Sequence, residues 1–346
     1  MRILFICPQI SGWGGMESVT SRVIKALQKK KHEVNLILVE RSFHPEWEED
    51  LPVCHLLQKS MEKKSINIGS SIFELIENIG VPDIVITMNA KLTAITRRAL
   101  NNLPKRPPIV SWIHLSLKET SGAMCVQMAD AHIAIGEGIK QELLTLDKYH
   151  PVHVLNNPII LPNKAIKRSE IPVLVFIGRL TYNPKRLDKL INALGSFKHK
   201  QWKLIVIGDG ADKQNLEDLA KSKGINQKIK WMGWIDNPWA QISEATIAVL
   251  TSDYEAFPLV IIEALSHGLP VISSDCPTGP KEIINHGRNG WLFKTDDLED
   301  LRYYLHKIIY KEVNLPSDEE CRESVMHLNI DIVIEKLEDI LSNVSI

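Results

Sequence analysis

The sequence predicts an α/β protein with two doubly wound parallel sheets, one in each half of the chain. Short, almost continuous apolar runs alternate with stretches of helical periodicity, which is typical of parallel strands covered by helices on both faces. The alternation stops at a polar, proline-containing stretch, 156–172, and then begins again. At 346 residues the chain is long enough for two domains with a full core each.

The predicted elements fall into two series. In the first half, six apolar runs are predicted to be strands: Ile3–Cys7, Val34–Val39, Ile84–Met88, Ile109–Trp112, His132–Ile135 and Val152–Leu155. Helices are predicted between several of them: Ser18–Lys30, Ile72–Ile79 and Gly138–Leu144. The second half supplies five further strands: Val173–Ile177, Leu204–Ile207, Ile229–Met232, Ile247–Leu250 and Val271–Ser273. A last helix is predicted at Asp331–Ser342, and the two series predict two domains.

Composition excludes several classes of protein. The formal net charge of -1 argues against nucleic-acid binding, which needs a clear basic excess. The first 165 residues carry 19 Lys and Arg against 16 Asp and Glu. This small excess would favour an anionic acceptor or membrane surface, although a solvated face explains it equally well. The five scattered cysteines form no C-x-x-C pair and suit a reducing compartment. Without a signal peptide or a run of ~20 apolar residues, the chain is expected to be cytoplasmic.

The most informative segment is Ser252–Ala264, in which Glu255 and Glu263 stand eight residues apart. Pro258 suits the first position of a helix, which places Glu255 in the preceding loop beside the free amides of the first turn. Those amides and the helix dipole favour a phosphate. Glu263 lies roughly 7.5 Å beyond Pro258 along the axis. The carboxylates therefore suit the two ends of a nucleotide-sugar; the alternative is a surface helix with two incidental glutamates.

Two cations follow the first strand of the second half. Arg179 can grip a phosphate as a fork, and Lys185 acts as a point charge. A departing nucleoside diphosphate gathers negative charge as the sugar bond breaks, so cations placed there act mainly in the transition state. Arg186 and Lys189 are expected to be solvated neighbours.

A glycine loop follows the first strand and precedes a helix. Glycines at Gly12, Gly14 and Gly15 permit unusual dihedrals and close approach of a ligand, although a plain turn explains them too. A dinucleotide-binding fingerprint is the rival interpretation, with Glu40 as its acidic residue. That fingerprint requires a small third residue where this chain has Glu17, so a nicotinamide-dependent dehydrogenase is disfavoured.

Taken together, these motifs resemble the retaining glycosyltransferases of the GT-B fold. Ser252–Ala264 resembles their E-x7-E signature, and further family motifs recur in order: Gly12-Trp13-Gly14-Gly15-Met16-Glu17, Ser111-Trp112-Ile113-His114, Gly178-Arg179-Leu180, Pro184-Lys185-Arg186, Ile207-Gly208-Asp209-Gly210, Asn237-Pro238-Trp239 and Ser274-Asp275-Cys276-Pro277-Thr278-Gly279-Pro280. One departure is that Ala256 and Pro258 replace the usual glycines of E-G-F-G, so fewer amides can meet the phosphates.

The resemblance implies a domain plan. Two Rossmann-like domains would face each other across a cleft, an acceptor-side domain at 1–165 and a nucleotide-sugar-binding domain at 166–328. The segment 329–346 would form a helix that crosses back to the first domain.

The resemblance also implies roles for particular residues. The expected catalytic residues are Glu255, His114, Arg179 and Lys185. The expected donor-binding residues are Gly15, Arg179, Lys185, Gly208, Gly233, Phe257, Leu259, Val260 and Glu263. Met16 and Glu17 are expected on the acceptor side. His114 would lie at the sugar, although a lone histidine among apolar neighbours is more often structural, and His132, His153, His267 and His286 gain no such support.

The implied activity is the transfer of galactose or glucose from a UDP-sugar to a lipopolysaccharide-core or other surface glycan, free or lipid-linked. No cofactor is expected, because the nucleotide-sugar is a substrate. No metal is expected either, since the sequence has no D-x-D pair, H-x-x-x-H spacing or cysteine cluster. Trp231 and Trp234 could line the site of the nucleotide base, or they could pack between strand and helix. Peripheral contact with the inner membrane surface stays open, and a nucleotide-sugar epimerase of the same fold is the alternative.

Overall fold

The structure, a computed structural model, describes residues 1–49, 51–57, 68–101, 103–118 and 120–344. It divides into two compact units: Met1–Pro158 with Ile330–Ile346, and Ile159–Asn329. The second unit begins at Ile159, inside the polar stretch 156–172 that separates the two predicted series and before the expected boundary at residue 166. The Ile159 N–H donates to the Leu328 carbonyl at 2.9 Å, and this hydrogen bond holds Ile159 in the second unit. Within the described residues, no helix combines the length and apolar character that a membrane span requires.

The first unit contains a seven-stranded parallel sheet. Its strands are β1 Arg2–Cys7, β2 Glu33–Glu40, β3 Val53–Leu57, β4 Ile84–Thr87, β5 Ile109–Ile113, β6 Ala131–Ala134 and β7 Val152–Val154. Their order in the sheet is β3-β2-β1-β4-β5-β6-β7. The order reverses between β1 and β4, and open parallel sheets bind ligands beyond the carboxyl ends of the strands at such a switch. Four helices accompany these strands: α1 Gly15–Lys29, α2 Ile68–Ile79, α3 Ala90–Leu100 and α4 Glu137–Leu146.

The second unit repeats this architecture with a six-stranded parallel sheet and a short strand pair. Its strands are β8 Lys167–Arg168, β9 Val173–Ile177, β10 Lys203–Ile207, β11 Ile229–Trp231, β12 Glu244–Ala245, β13 Ile247–Leu250, β14 Val271–Ser274 and β15 Gly290–Phe293. The main sheet has the order β11-β10-β9-β13-β14-β15, and β8 pairs with β12. Its helices are α5 Leu187–Leu194, α6 Lys213–Ser222, α7 Leu259–Ser266, α8 Pro280–Ile283, α9 Leu298–Ile309 and α10 Asp318–Glu323.

The last helix, α11 Ile330–Val344, belongs to the first unit. Its apolar face is buried, and Glu338 on the same helix accepts hydrogen bonds from Lys30 Nζ at 2.6 Å and His32 Nε2 at 2.8 Å. These two residues follow α1, so α11 packs beside the helix that carries the glycine loop.

Each unit has an apolar core between its sheet and helices. In the second unit the largest fully buried side chains are Phe176, Trp202 and Phe293, and Trp202 Nε1 is satisfied by the Phe197 carbonyl at 2.8 Å. In the first unit Phe5 and Trp112 lie on neighbouring parts of the sheet, with ring centroids 6.4 Å apart. Strand residues are buried on both faces, which explains why these strands are almost wholly apolar.

The predicted α/β class with two doubly wound sheets is confirmed. Each of the eleven predicted strands is present, with ends shifted by at most a residue or so. The prediction missed the edge strands β3 and β15 and the short pair β8 and β12. These four are short or flanked by glycine and polar residues, so they lack the sustained apolar run that identifies a central strand.

Candidate active site

The Glu255 loop follows β13 at the carboxyl end of the second sheet. The carboxylate of Glu255 accepts hydrogen bonds at Oε1 from Lys185 Nζ at 2.7 Å and from Ser252 Oγ at 2.6 Å. The side chains of Glu255 and Lys185 are only 11% and 19% exposed. Reduced exposure strengthens the attraction between the two charges relative to a surface pair.

Neighbouring loops hold this carboxylate in place. Ser274, at the end of β14, donates to the Ser252 carbonyl at 2.5 Å, and the Thr278 hydroxyl donates to the Glu255 carbonyl. Gly279 has φ +89°, and a Cβ there would meet the Ala256 carbonyl at 2.7 Å. The loop after β14 therefore packs directly on the Glu255 loop, and only glycine fits at the contact.

The loop after β9 docks on the same segment. Thr251, just past β13, donates through its hydroxyl to the carbonyls of Lys185 at 3.1 Å and Arg186 at 2.9 Å, and the Asp253 N–H donates to the Pro184 carbonyl at 2.8 Å. Because β9 and β13 are parallel neighbours, their carboxyl ends lie side by side. This adjacency brings Lys185 to Glu255.

Helix α7 starts one residue later than the sequence suggests. Pro258 is extended, with φ -71° and ψ 112°, and precedes the helix instead of forming its first position. Among the described residues, no side chain caps this end of the helix. The first-turn amides, including those of Leu259 and Val260, therefore form an end that favours an anion beside Glu255.

Glu263 lies in the second turn of α7 and is positioned by an indole. Trp239 Nε1 donates to Glu263 Oε2 at 3.0 Å, and the Trp239 ring stacks on His267 with centroids 5.1 Å apart. The ring is itself buried, so it fixes the carboxylate firmly. Trp239 belongs to the sequence motif Asn237-Pro238-Trp239, but neither its contact with Glu263 nor that of Ser252 with Glu255 has a local signal in the sequence.

The two predicted cations differ in their surroundings. Lys185 is paired with Glu255, whereas Arg179 is exposed and has no hydrogen bond or ion pair within the described part of the chain. Arg186 and Lys189 are not solvated neighbours, because both bind Asp253, with Arg186 at 2.7 Å. Hydrogen bonds to Asp188 and then Asp253 raise the pKa of Arg186. These two cations therefore fix the loop.

Two glycines at the carboxyl ends of β10 and β11 allow close backbone approach. Gly208 has φ +143°, and a Cβ there would meet the Gly178 carbonyl at 1.9 Å. The Gly208 N–H donates to the Gly233 carbonyl at 2.8 Å. Gly233 has φ +72°, and a Cβ there would meet no atom of the described part of the chain within 4 Å. The loops that follow β9, β10 and β11 therefore contact one another at Gly208, while Gly233 borders open space.

The tryptophans beside Gly233 have separate positions. Trp231 packs against the core of the second unit, and its Nε1 lies 3.4 Å from Asn226 Oδ1. Trp234 is 39% exposed. Packing thus accounts for Trp231, and only Trp234 presents a surface that a base could contact.

In the first unit, the glycine loop leads into α1. Gly15 is the first residue of the helix, and Gly14 before it provides no side-chain cap. Met16 is half-buried, whereas Glu17 is only 4% exposed. The Glu17 carboxylate accepts from the Gly12 N–H at 2.7 Å and from Ser11 Oγ at 2.9 Å. Glu17 therefore holds the loop in shape, while Gly15 lies at an uncapped helix start.

His114 follows β5 and is buried beside Trp112, with ring centroids 4.8 Å apart. Its Nε2 atom is buried and has no hydrogen-bond partner within the described residues. Burial lowers the pKa of His114 to about 3, so the ring is neutral at physiological pH. A buried polar atom without a partner is unusual, and a neutral imidazole can donate to or accept from a sugar hydroxyl.

Two family models match the chain in succession. The Glycosyltransferase Family 4 model covers residues 13–161 and the Glycosyl transferases group 1 model covers residues 160–325. The chain therefore belongs to the family of glycosyltransferases that these two models describe together, and members of this family have the GT-B fold.

Particular relatives extend over almost the whole chain. It is 30% identical over 334 residues to the lipopolysaccharide 1,6-galactosyltransferase of Salmonella typhimurium, covering 92% of each protein. It is 29% identical to the enzyme of the same name from Escherichia coli, covering 91% of each. The solved apo structure of the lipopolysaccharide outer core galactosyltransferase WaaB is 28% identical, with a TM-score of 0.85 over 99% of this chain and 100% of that one. None of these relatives supports the epimerase or dehydrogenase alternatives.

Burial of His114 predicts an acid-dependent loss of stability. An unfolded histidine binds a proton below pH 6.5, whereas the folded ring stays neutral down to about pH 3. Between these values the unfolded state binds more protons, so stability falls as pH decreases. His114→Gln should remove about 2 kcal/mol of the loss between pH 7.5 and pH 5, measured by denaturant unfolding at both pH values.

The matched control for this experiment is His199→Gln, at an exposed position. It should follow the wild-type dependence on pH. If His114→Gln also follows the wild-type curve, the ring of His114 is not shielded from protonation in the folded protein.

Proposed function

We propose that this glycosyltransferase is a retaining, metal-independent hexosyltransferase that moves galactose, or else glucose, from a UDP-sugar to a lipopolysaccharide-core or other surface glycan. The contact between Lys185 and Glu255 beside the uncapped start of α7 is the observation that supports it most strongly. It combines a cation, a carboxylate and free amides at one strand end. Galactose is placed first because both named relatives are galactosyltransferases.

The diphosphate would bind at the start of α7. An ammonium group has three N–H donors, and Glu255 uses one of those on Lys185. The others remain for phosphate oxygens, joined by the exposed fork of Arg179 and the amides of Leu259 and Val260. Negative charge on the diphosphate grows as the glycosidic bond breaks, so these donors act chiefly in the transition state.

The two glutamates would serve opposite ends of the donor. Glu255 would stabilise the positive charge that develops at the anomeric carbon, and covalent attack by Glu255 is the alternative. The departing phosphate would take the proton of the acceptor hydroxyl on the same face, which gives retention without a separate base. Glu263, oriented by Trp239, would accept hydrogen bonds from the ribose hydroxyls.

The first unit would serve the acceptor side. Met16 and the loop that Glu17 holds lie near the start of α1, where Gly15 could approach a phosphate. His114 would bond a hydroxyl of the transferred sugar through its unpaired Nε2. A lipid-linked acceptor would bring the protein to the cytoplasmic face of the inner membrane as a peripheral protein, and the small basic excess of residues 1–165 suits such a surface.

A donor screen tests this proposal. UDP-galactose, UDP-glucose, UDP-N-acetylglucosamine and GDP-mannose are compared by thermal unfolding and by donor hydrolysis. At about 100 times its Kd, the true donor should add roughly 2.7 kcal/mol of stability. When the four donors are compared at equal concentration, UDP-galactose should add most. Turnover should be unchanged by chelator at a temperature well below unfolding. Activity lost with chelator and restored by magnesium or manganese contradicts the metal-independent mechanism.

Lys185 provides a second test. Lys185→Ala should reduce turnover by on the order of 10²–10³ while weakening affinity for the intact donor far less, because the lost interaction strengthens as the bond breaks. Lys221→Ala is the control, since Lys221 makes an exposed pair with Asp218 at 2.8 Å. Equal turnover in Lys185→Ala and Lys221→Ala would show that Lys185 only orders its loop.

Substitutions of the two glutamates should have different effects on UDP affinity and on turnover. Glu263→Gln should weaken the binding of both UDP and the UDP-sugar, because the ribose contact is common to both. Glu255→Gln should leave UDP affinity nearly intact while turnover falls, since Glu255 acts on the reacting sugar. Calorimetric titration of UDP beside transfer rates separates the two, with exposed Glu323→Gln as control. Equal loss of UDP affinity in both variants rules out this division of roles.

A further inference from the structure

A second polar cluster lies in the first unit, at the amino-terminal edge of its sheet. It consists of His132 near the start of β6, and Asp147 and His150 in the turn between α4 and β7. Each residue offers one side-chain atom, and these three atoms lie within 4.8 Å of one another. The cluster is at the opposite edge of the sheet from the glycine loop and His114, so the transfer reaction does not account for it.

The Asp147 carboxylate is at the centre of this cluster, and its side chain is fully buried. Its Oδ1 atom accepts from the backbone N–H groups of Tyr149 at 2.9 Å and His150 at 3.3 Å. Its Oδ2 atom meets His132 Nε2 at 3.0 Å and His150 Nδ1 at 2.8 Å. The backbone thus fixes one oxygen and directs the other between the two imidazoles.

The His132 ring is fixed from its other side. Its Nδ1 atom lies 2.7 Å from Ser111 Oγ on the neighbouring strand β5. A serine hydroxyl can donate or accept, so it is compatible with either neutral tautomer of the ring. Ser111, His132 and Asp147 follow the order of a hydrolase triad, but Ser111 is completely buried within its strand and no substrate can reach it. The array is therefore not a nucleophilic site.

Imidazole nitrogens and carboxylate oxygens are atoms through which these side chains bind metals, the imidazole in its neutral form and the carboxylate in its ionised form.

We propose that His132 Nε2, Asp147 Oδ2 and His150 Nδ1 form a binding site for a divalent transition-metal ion. Imidazole and carboxylate ligands suit ions of the nickel, copper and zinc series. With metal–ligand bonds of about 2.1 Å, separations of 3.0 and 2.8 Å give ligand–metal–ligand angles of about 90°. Two ligand pairs near a right angle favour octahedral or square-planar coordination, so we assign Ni²⁺ ahead of tetrahedral Zn²⁺.

The surrounding groups complete the site. When the ion takes Nε2 of His132, the ring proton moves to Nδ1 and is donated to Ser111 Oγ, as metal-bound histidines commonly donate to a neighbouring acceptor. The His150 side chain is 36% exposed, which gives the ion a path from solvent and leaves room for water ligands. Occupation would tie the α4–β7 turn to β6, so the ion would stabilise the first unit without contacting the reacting sugar.

The test uses full-length protein without an affinity tag, stripped with chelator and titrated with Ni²⁺ and Zn²⁺ at pH 7.5. Calorimetry should give one Ni²⁺ per chain, bound more tightly than Zn²⁺, and Ni²⁺ should raise the unfolding temperature. His150→Ala, which keeps the buried His132–Asp147 pair, should weaken Ni²⁺ binding by about tenfold or more and abolish the thermal shift. His199→Ala, at an exposed position, should leave both unchanged.

Failure of the stripped protein to bind either ion would overturn the site. Binding that is as tight in His150→Ala as in wild type would overturn it too, because the ion would then be held elsewhere. Tighter binding of Zn²⁺ than Ni²⁺ would overturn the assigned geometry. Turnover with the sugar donor should not change when the ion is removed, so this result is independent of the transferase proposal.

Discussion

The parallel pairing of β9 with β13 is the constraint on which the candidate active site depends. Parallel neighbours end at the same edge of a sheet, so the loop that follows β9 and the loop that follows β13 must leave side by side. Thr251 then fastens the two loops by donating to the carbonyls of Lys185 and Arg186. Lys185 and Glu255, 70 positions apart in sequence, meet at 2.7 Å as a consequence.

The Lys185–Glu255 pair is better explained by pre-organisation than by stability. Exposed ion pairs contribute roughly 0–1 kcal/mol, and a more buried pair also loses hydration that its mutual attraction must offset. With 19% and 11% exposure, this pair lies between the two cases. Its clearer consequence is geometric, because a carboxylate and an ammonium are already fixed beside the uncapped start of α7. Under the proposed mechanism, little reorganisation would then remain when charge develops.

Two buried histidines in the first unit show how partners, not burial alone, determine what a side chain can do. Burial lowers the pKa of both His114 and His132. His132 is bonded at both ring nitrogens, to Ser111 and Asp147, and lies at the amino-terminal edge of the sheet. His114 lies past a carboxyl end with its Nε2 unpaired. The arrangement around His132 suits a fixed set of metal ligands. The arrangement around His114 suits contact with a substrate that binds and dissociates.

The amino-acid sequence predicts the α/β class, the central strands and the strand-end loops, because apolar runs and glycine-rich turns are local signals. Edge strands such as β3 and β15 were not predicted from it, since their apolar runs are short. It named Glu255, Lys185 and Glu263, but their partners Ser252 and Trp239 were decided only by the tertiary structure. The His132–Asp147–His150 cluster was equally invisible, because it arises where a strand meets a turn and not from any ligand spacing. Residue types and local patterns can be read from the sequence, whereas the distance between two side chains depends on how strands pair and helices pack.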